Sequence, residues 1–382
     1  MIEKKILFVS DCVTENNGKG VVGSSNLKSI SRAYGKENVD IYLVSHFKDL
    51  EENSSADLVN KQFLMYQNDS KAYILFESLC LRHFRSTKRV EKKFKQIISD
   101  NHYDVIFFDD SYFGNLVRAI KKKSQMRSIV FFHNCRRNLA LNWLYNSPLK
   151  FLPFYFSTRR QEKLSSRFAD KIAVLNDKDS ELIKFHYNRN SDAILPVAID
   201  CRRPLKKDIR FISKKLTIGF LGANYHPNVN GISWFISNVL PLLDESVVLL
   251  VAGKGMDKVS ESLELLNKSQ STVSVSGFVD DLRSWYANID IVVSPIFEGG
   301  GMKVKVAEAL SYGKYILLSP DSYHGYTFDV QAGIVCCDEV DFAKEINRVK
   351  ALGMIDEEAV YQQFNERHSI DAAQRNIRGL ID

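Results

Sequence analysis

The chain has 382 residues, 45% of them hydrophobic and 26% charged, which is enough apolar content for two domain cores and too much for a disordered chain. Its net charge of +6 is mild for that length and argues against a dedicated nucleic-acid binder. No apolar run approaches a membrane span, and Ile6-Leu7-Phe8-Val9 is too short an apolar stretch for a signal peptide, so it reads as a first strand. Six cysteines (Cys12, Cys80, Cys135, Cys201, Cys336 and Cys337) form no Cys-x-x-Cys pair and no Cys/His cluster with zinc spacing, so a reduced, cytoplasmic chain is expected.

Strands are expected at Ile6–Ser10, Val39–Ser45, Asp104–Phe108, Ser128–Phe132, Lys171–Val174 and Ala193–Pro196. Most are apolar without alternation, as in parallel strands buried on both faces. Helical patterns lie between them at Ser24–Tyr34, Arg82–Ser99, Tyr112–Lys122, Arg159–Phe168 and Lys178–His186. The polar, Pro-containing stretch Asp200–Lys215 is the expected domain boundary. A second series follows at Leu216–Leu221, Val247–Val251, Val273–Ser276, Ile289–Ser294, Tyr315–Leu318 and Ile334–Cys336, then helices at Asp356–Arg367 and Ile370–Leu380. This alternation implies an α/β chain of two doubly wound, Rossmann-like domains facing across a cleft, with ligands at the carboxyl ends of strands.

The richest segment is 294–320. A strand runs into Gly299-Gly300-Gly301, and a helix follows with Lys303 and Lys305 in its first turn and Glu308 one turn on. Glycines admit a ligand close to backbone amides, and a helix N-terminus favours anions. Lys305 and Glu308, three residues apart, share a helical face. Such a site suits a nucleoside diphosphate, with lysine on phosphate and carboxylate on ribose hydroxyls.

The order of strand, glycine run, Lys303-x-Lys305-x-x-Glu308-Ala309, Gly313 and strand resembles the donor-binding segment of glycosyltransferase family 4, which has the GT-B fold. Lys303 stands in the family's arginine position. Glu298 and Glu308 are further apart than the paired glutamates of the commoner family pattern, and Gly300 occupies the earlier glutamate's place. Ile218 to Asn230, completed by Trp234-Phe235, resembles the family's opening of the second domain. The resemblance implies a domain at 1–198 on the acceptor side, a nucleotide-sugar domain at 199–355, and helices at 356–382 that cross back to the first domain.

It also implies a retaining transferase that needs no metal, in which Lys305 and Lys303 neutralise the departing diphosphate. Amides of Gly300, Gly301 and Met302 meet the sugar or phosphate, Glu308 binds ribose, and Glu298 lies by the sugar. Gly222 and Asn224 touch the diphosphate, Phe278 and Val279 hold the nucleobase, and Gly20 belongs to a glycine-rich loop against donor phosphate. His133, in a His-Asn pair after a strand, hydrogen-bonds the donor sugar. Glu162 and Asp170 are read as structural, Asn228 as a helix N-cap, and Asp109-Asp110 as a cleft-edge or capping pair rather than a metal site.

The expected partners are a nucleotide sugar (UDP- or GDP-type) and a glycan or lipid-linked glycan acceptor, as in bacterial surface polysaccharide synthesis, and no nucleic acid. The basic stretch Arg82–Lys95 and the aromatic cluster 151–156 suggest peripheral contact with the inner face of the cell membrane, or else a solvated helix packed on its domain. Two alternatives stay open: a nucleotide-sugar-processing relative such as an epimerase or phosphorylase, and an inactive scaffold subunit. Donor hydrolysis without an acceptor, or phosphate dependence, marks the first; failure to bind any nucleotide marks the second.

Overall fold

Strands whose residues are buried on both faces need helices on both sides, and the chain provides them twice. The structure is a computed structural model that describes residues 4–14, 18–45, 56–121, 126–200, 215–269, 271–299 and 301–382. It divides into one unit of Met1–Val197 with Ile370–Asp382 and another of Ala198–Ser369. Most of the stretch read as the domain boundary, residues 201–214, lies outside the described residues.

The first unit contains β1 (Ile6–Ser10), β2 (Val39–Ser45), β3 (Lys61–Tyr66), β4 (Val105–Phe108), β5 (Arg127–Phe132), β6 (Lys171–Val174) and β7 (Ala193–Ile194). They form one parallel sheet in the order β3-β2-β1-β4-β5-β6-β7. Its helices are α1 (Gly18–Tyr34), α2 (Lys71–Leu79), α3 (Lys88–Asp100), α4 (Gly114–Ile120), α5 (Arg136–Asn146), α6 (Pro148–Phe168) and α7 (Asp177–Tyr187).

The second unit contains β8 (Leu216–Leu221), β9 (Val247–Ala252), β10 (Thr272–Val275), β11 (Ile291–Ser294), β12 (Tyr315–Leu318) and β13 (Gly333–Val335), parallel in the order β10-β9-β8-β11-β12-β13. Its helices are α8 (His226–Trp234), α9 (Ser260–Leu265), α10 (Leu282–Ala287), α11 (Val304–Ser311), α12 (Pro320–Tyr323), α13 (Glu339–Leu352) and α14 (Glu357–Arg367). The last helix, α15 (Ile370–Ile381), belongs to the first unit. Each sheet reverses its strand order once, between β1 and β4 and between β8 and β11. Those are the topological switch points where such folds bind ligands.

Several elements differ from expectation. The glycine segment around Gly20 is the first turn of α1, not a loop. A Cβ at Gly20 would come within 2.2 Å of the Thr14 carbonyl oxygen, so the glycine serves a close approach to the segment after β1. The basic helix begins at Lys88 rather than Arg82. Its apolar residues Val90, Phe94, Ile97 and Ile98 are buried in the first unit's core, which leaves it no apolar side for a membrane. Of the two terminal helices only α15 joins the first unit. The α14 helix stays with the second, where Glu357 pairs with Lys314. Asn228 is not a cap: α8 starts at His226 after Tyr225, and Asn228 sits inside it.

Candidate functional site

In the second unit the strands β8 and β11 end side by side at the switch point, and the two segments that follow them meet there. Lys305 is the second residue of α11. Its Nζ donates to Asn228 Oδ1 on α8 at 2.7 Å and lies 4.6 Å from the centre of the Phe220 ring on β8. Burial lowers the Lys305 pKa to about 7; the charge of Lys303 acts the same way, and that of Glu308 opposes it. Gly222, just past β8, leaves room for this pair, because a Cβ there would come within 2.9 Å of Lys305 Nζ and 3.1 Å of the Asn228 side chain.

The turn before α11 is built for tight backbone. Gly299 and Gly301 have φ of 98° and 73°, values that strain any residue with a Cβ. Lys303 is the N-cap residue, and its Nζ donates back to the Gly299 carbonyl at 3.2 Å. The hydroxyl of Tyr326 donates to the Lys303 carbonyl at 2.7 Å and accepts from the Ala307 amide at 3.3 Å. It therefore stands inside the first turn of the helix. Met302 is buried, Glu308 is partly exposed on the turn after Lys305, and Gly300 lies outside the described residues. Exposed Glu298 is held by α8, accepting from Asn230 Nδ2 at 3.1 Å and lying 3.0 Å from His226 Nδ1.

The amides at the end of β8 are engaged within the fold. The Gly222 amide donates to the Ala252 carbonyl and the Asn224 amide to the Lys254 carbonyl, both at 2.9 Å, so neither is free for a diphosphate. These bonds, with that from the Gly253 amide to the Gly277 carbonyl at 2.9 Å, stitch together the loops after β8, β9 and β10. The loop after β10 carries Phe278, 69% exposed, and the half-buried Val279.

The first unit's switch point holds a buried ionic cluster. Asp109 and Asp110 follow β4, and Asp11 follows β1. Lys19 of α1 bonds Asp11, Asp110 Oδ2 at 2.9 Å and the Tyr112 hydroxyl at 2.6 Å. Arg136 Nη2 reaches Asp110 Oδ2 at 2.5 Å, and Arg85 pairs with Asp11. Burial by itself would raise the Asp110 pKa, but Arg136 and Lys19 outweigh it and hold the carboxyl well below the usual range. Asp110 also caps a short turn by accepting from the Ser111 amide. Asp109 accepts from Ser10 Oγ at 2.9 Å and Asn26 Nδ2 at 3.0 Å. His133 is buried after β5, its Nε2 lying 3.4 Å from Asp109 Oδ1 without hydrogen-bond geometry. Glu162 accepts from the Arg136 and Arg137 amides at the start of α5, and burial raises its pKa to about 7. Among the described residues no group of three or more His, Cys, Asp or Glu side chains could hold a metal ion.

The structure thus brings together Lys305, Lys303, Gly222, Gly301 and Met302, with Glu298 and Glu308 at their margin. It adds Asn228, which the reading of α8 as starting later had hidden. The cluster of Asp11, Lys19 and Arg136 was also missed. Part of its signal was present: Asp11 directly follows β1 and Asp109-Asp110 directly follow β4, the two strands that flank the switch point, whereas Lys19 and Arg136 come from helices α1 and α5.

Residues 215–351 match the family model described as glycosyl transferases group 1. Anabaena HepE, solved in complex with UDP, has a similar structure with a TM-score of 0.70 at 13% identity, over 98% of this chain and 98% of that chain. WaaG, a glycosyltransferase involved in lipopolysaccharide biosynthesis, has a TM-score of 0.67 at 14% identity, over 98% of this chain and 99% of that chain. Among curated proteins, an uncharacterized 44.6 kDa protein in the cps region of Klebsiella pneumoniae is 25% identical over 161 residues, 40% of this chain and 41% of that protein. The chain thus spans about two fifths of that relative's length. The chain has the GT-B fold. The match to the group 1 glycosyl transferase model lies within its second unit.

Proposed function

We propose that this protein is a retaining, metal-independent glycosyltransferase that moves a sugar from a nucleoside diphosphate sugar to a glycan or lipid-linked glycan, in the cytoplasm, for a surface polysaccharide. The observation that carries this reading is the ammonium of Lys305, held by Asn228 at the start of α11 beside the switch point. A cation and a helix N-terminus aimed at one place stabilise the charge that develops on a departing diphosphate. Burial keeps the ammonium poorly solvated, so an anion gains more from it than from a lysine in water.

Lys303, tied to the glycine turn, keeps the loop in the shape that lets amides of Gly301 and Met302 face the sugar or phosphate. Glu308 binds ribose hydroxyls from the next turn of α11, and the exposed ring of Phe278 with Val279 flanks the nucleobase. Glu298, fixed by His226 and Asn230, serves the sugar. His133 has an uncommitted ring nitrogen that can hydrogen-bond a sugar hydroxyl. The UDP in the HepE structure supports a uridine nucleotide as the donor carrier. The place of the Klebsiella relative in a cps region supports a polysaccharide product.

The test is titration calorimetry with UDP, GDP and their sugar conjugates, followed by transfer assays with the best binder. Micromolar binding of one nucleoside diphosphate, lost in Lys305→Ala, is the expected result. Equal binding by the variant sinks the assignment.

A further inference from the structure

One helix of the first unit is inside out. Along α2, Leu75, Phe76 and Leu79 are 50%, 59% and 63% exposed, while Glu77 between them is 1% exposed. The spacing of those three apolar residues puts them on one helical face. The buried Glu77 is satisfied by structure: its Oε2 accepts from the Lys88 amide at the start of α3 at 2.9 Å. The helix is therefore locked with its apolar side outward, which costs free energy unless something covers that side.

The apolar surface continues onto the neighbouring α5 and α6. An aromatic seam joins them: Phe154 lies 5.8 Å from Phe84, just beyond α2, and 5.4 Å from Trp143 on α5. Arg160 and Gln161 of α6 donate to the Cys80 and Leu81 carbonyls at the end of α2. At the turn between α5 and α6, Leu149 is 95% exposed, a protruding apolar side chain rather than part of a groove.

On the α5–α6 side of this surface the charge has one sign. Between Asp110 and Glu162 the chain has no Asp or Glu at all, yet it carries Arg137, Lys150, Arg159 and Arg160. A second copy would set like charge against like charge. A sheet of anionic headgroups over an apolar layer matches both properties, with aromatic rings at the boundary. Among the described residues no helix is long and apolar enough to cross a membrane, so the contact is one of lying on the surface.

We propose that the outward face of α2, with the α5–α6 turn, docks the protein on an anionic lipid bilayer. This replaces the helix after Arg82 as the lipid-facing element, and it does not depend on the transferase reading, because the readout is partition and not activity.

The experiment is flotation of the full chain with vesicles of phosphatidylglycerol and phosphatidylcholine, and with phosphatidylcholine alone, at low and high salt. The wild type should float with the anionic vesicles and release at high salt. The triple variant Leu75→Ser, Phe76→Ser, Leu79→Ser should lose about tenfold or more in partition at an unchanged melting temperature. Should that variant fail to fold, Leu149→Glu at the exposed turn is expected to weaken binding on its own. Leu265→Ser, at a residue 75% exposed in the second unit, should change nothing. The proposal is overturned if the wild type ignores anionic vesicles, if the folded α2 variant or Leu149→Glu binds as the wild type does, or if Leu265→Ser weakens binding as much. It is equally overturned if light scattering finds a wild-type dimer that the triple variant dissolves, since a second copy then covers the face.

Discussion

Lys305 concentrates the chemistry of the second unit in one titration. Burial brings its pKa from 10.5 to about 7, so in the folded, ligand-free protein it loses its charge as pH rises through neutrality, while an unfolded chain keeps that proton until about 10.5. The folded state binds fewer protons than the unfolded state between those values, so this group makes stability rise with pH across that window, and its penalty is fully present below about pH 7. On the proposed function, an anionic diphosphate bound beside Lys305 would reverse the shift and recharge the lysine. Calorimetry of nucleoside diphosphate binding at pH 8.5, in buffers of different ionisation enthalpy, should then show uptake approaching one proton, absent in Lys305→Ala. Turnover in that variant should fall by about 10²–10³-fold, the usual loss for one donor to a developing anion. Gly222→Ala tests the same spot from the other side, since its Cβ would press on Lys305 and Asn228. We expect weaker diphosphate binding at nearly unchanged melting temperature; a variant that binds like the wild type would show that the lysine shifts at no cost. The glycines, lysines and Glu308 stand out in the sequence because their order along the chain is itself the signal. Asn228 was not, because its partner lies on a different helix and only folding brings the two together.

At the scale of elements, the start of α11 depends on a residue outside it. The Tyr326 hydroxyl bridges the Lys303 carbonyl and the Ala307 amide, two groups that a regular helix would join directly. Tyr326→Phe takes from the buried Ala307 amide the hydroxyl it donates to, while the Lys303 carbonyl keeps the Val306 amide at 2.9 Å, at a cost of about 1–3 kcal/mol. The second unit's melting temperature should drop by roughly 2–4 °C for each kcal/mol, and diphosphate affinity should drop with it. A variant as stable as the wild type would mean that the turn closes on itself. Strands buried on both faces were the easiest elements to read, since a run such as Ile291–Ser294 has no polar side to confuse its period. The edge strand β3 was overlooked because Lys61-Gln62 opens it and much of it is exposed. The α2 helix was overlooked for a related reason: its apolar residues face outward, so its pattern does not describe a core. The long α6 was read only from Arg159, because Pro153 looks like an end. Here the helix starts at Pro148, which suits its first turn, and carries Pro153 close behind.

At the scale of the whole molecule, the chain leaves its first unit, builds the second, and returns for one helix. Each unit has its own apolar core, so each can melt as its own cooperative body. The α15 helix is amphipathic, with Ile377 fully buried, and its Gln374 and Arg378 side chains donate to carbonyls at the end of α1 at 3.1 and 3.0 Å. Ile377→Ser removes apolar volume and buries a hydroxyl, a loss of about 3–5 kcal/mol. Although residue 377 follows the entire second unit in sequence, the damage should fall on the first. A calorimetric scan of the variant should show one transition lowered by several degrees and the other unmoved, and UDP should still raise the unmoved one, because Lys305, Asn228 and Gly222 all belong to the second unit. A single transition that shifts as a whole, or loss of the UDP response, would mean that the two cores are not independent and that α15 supports the nucleotide site through them.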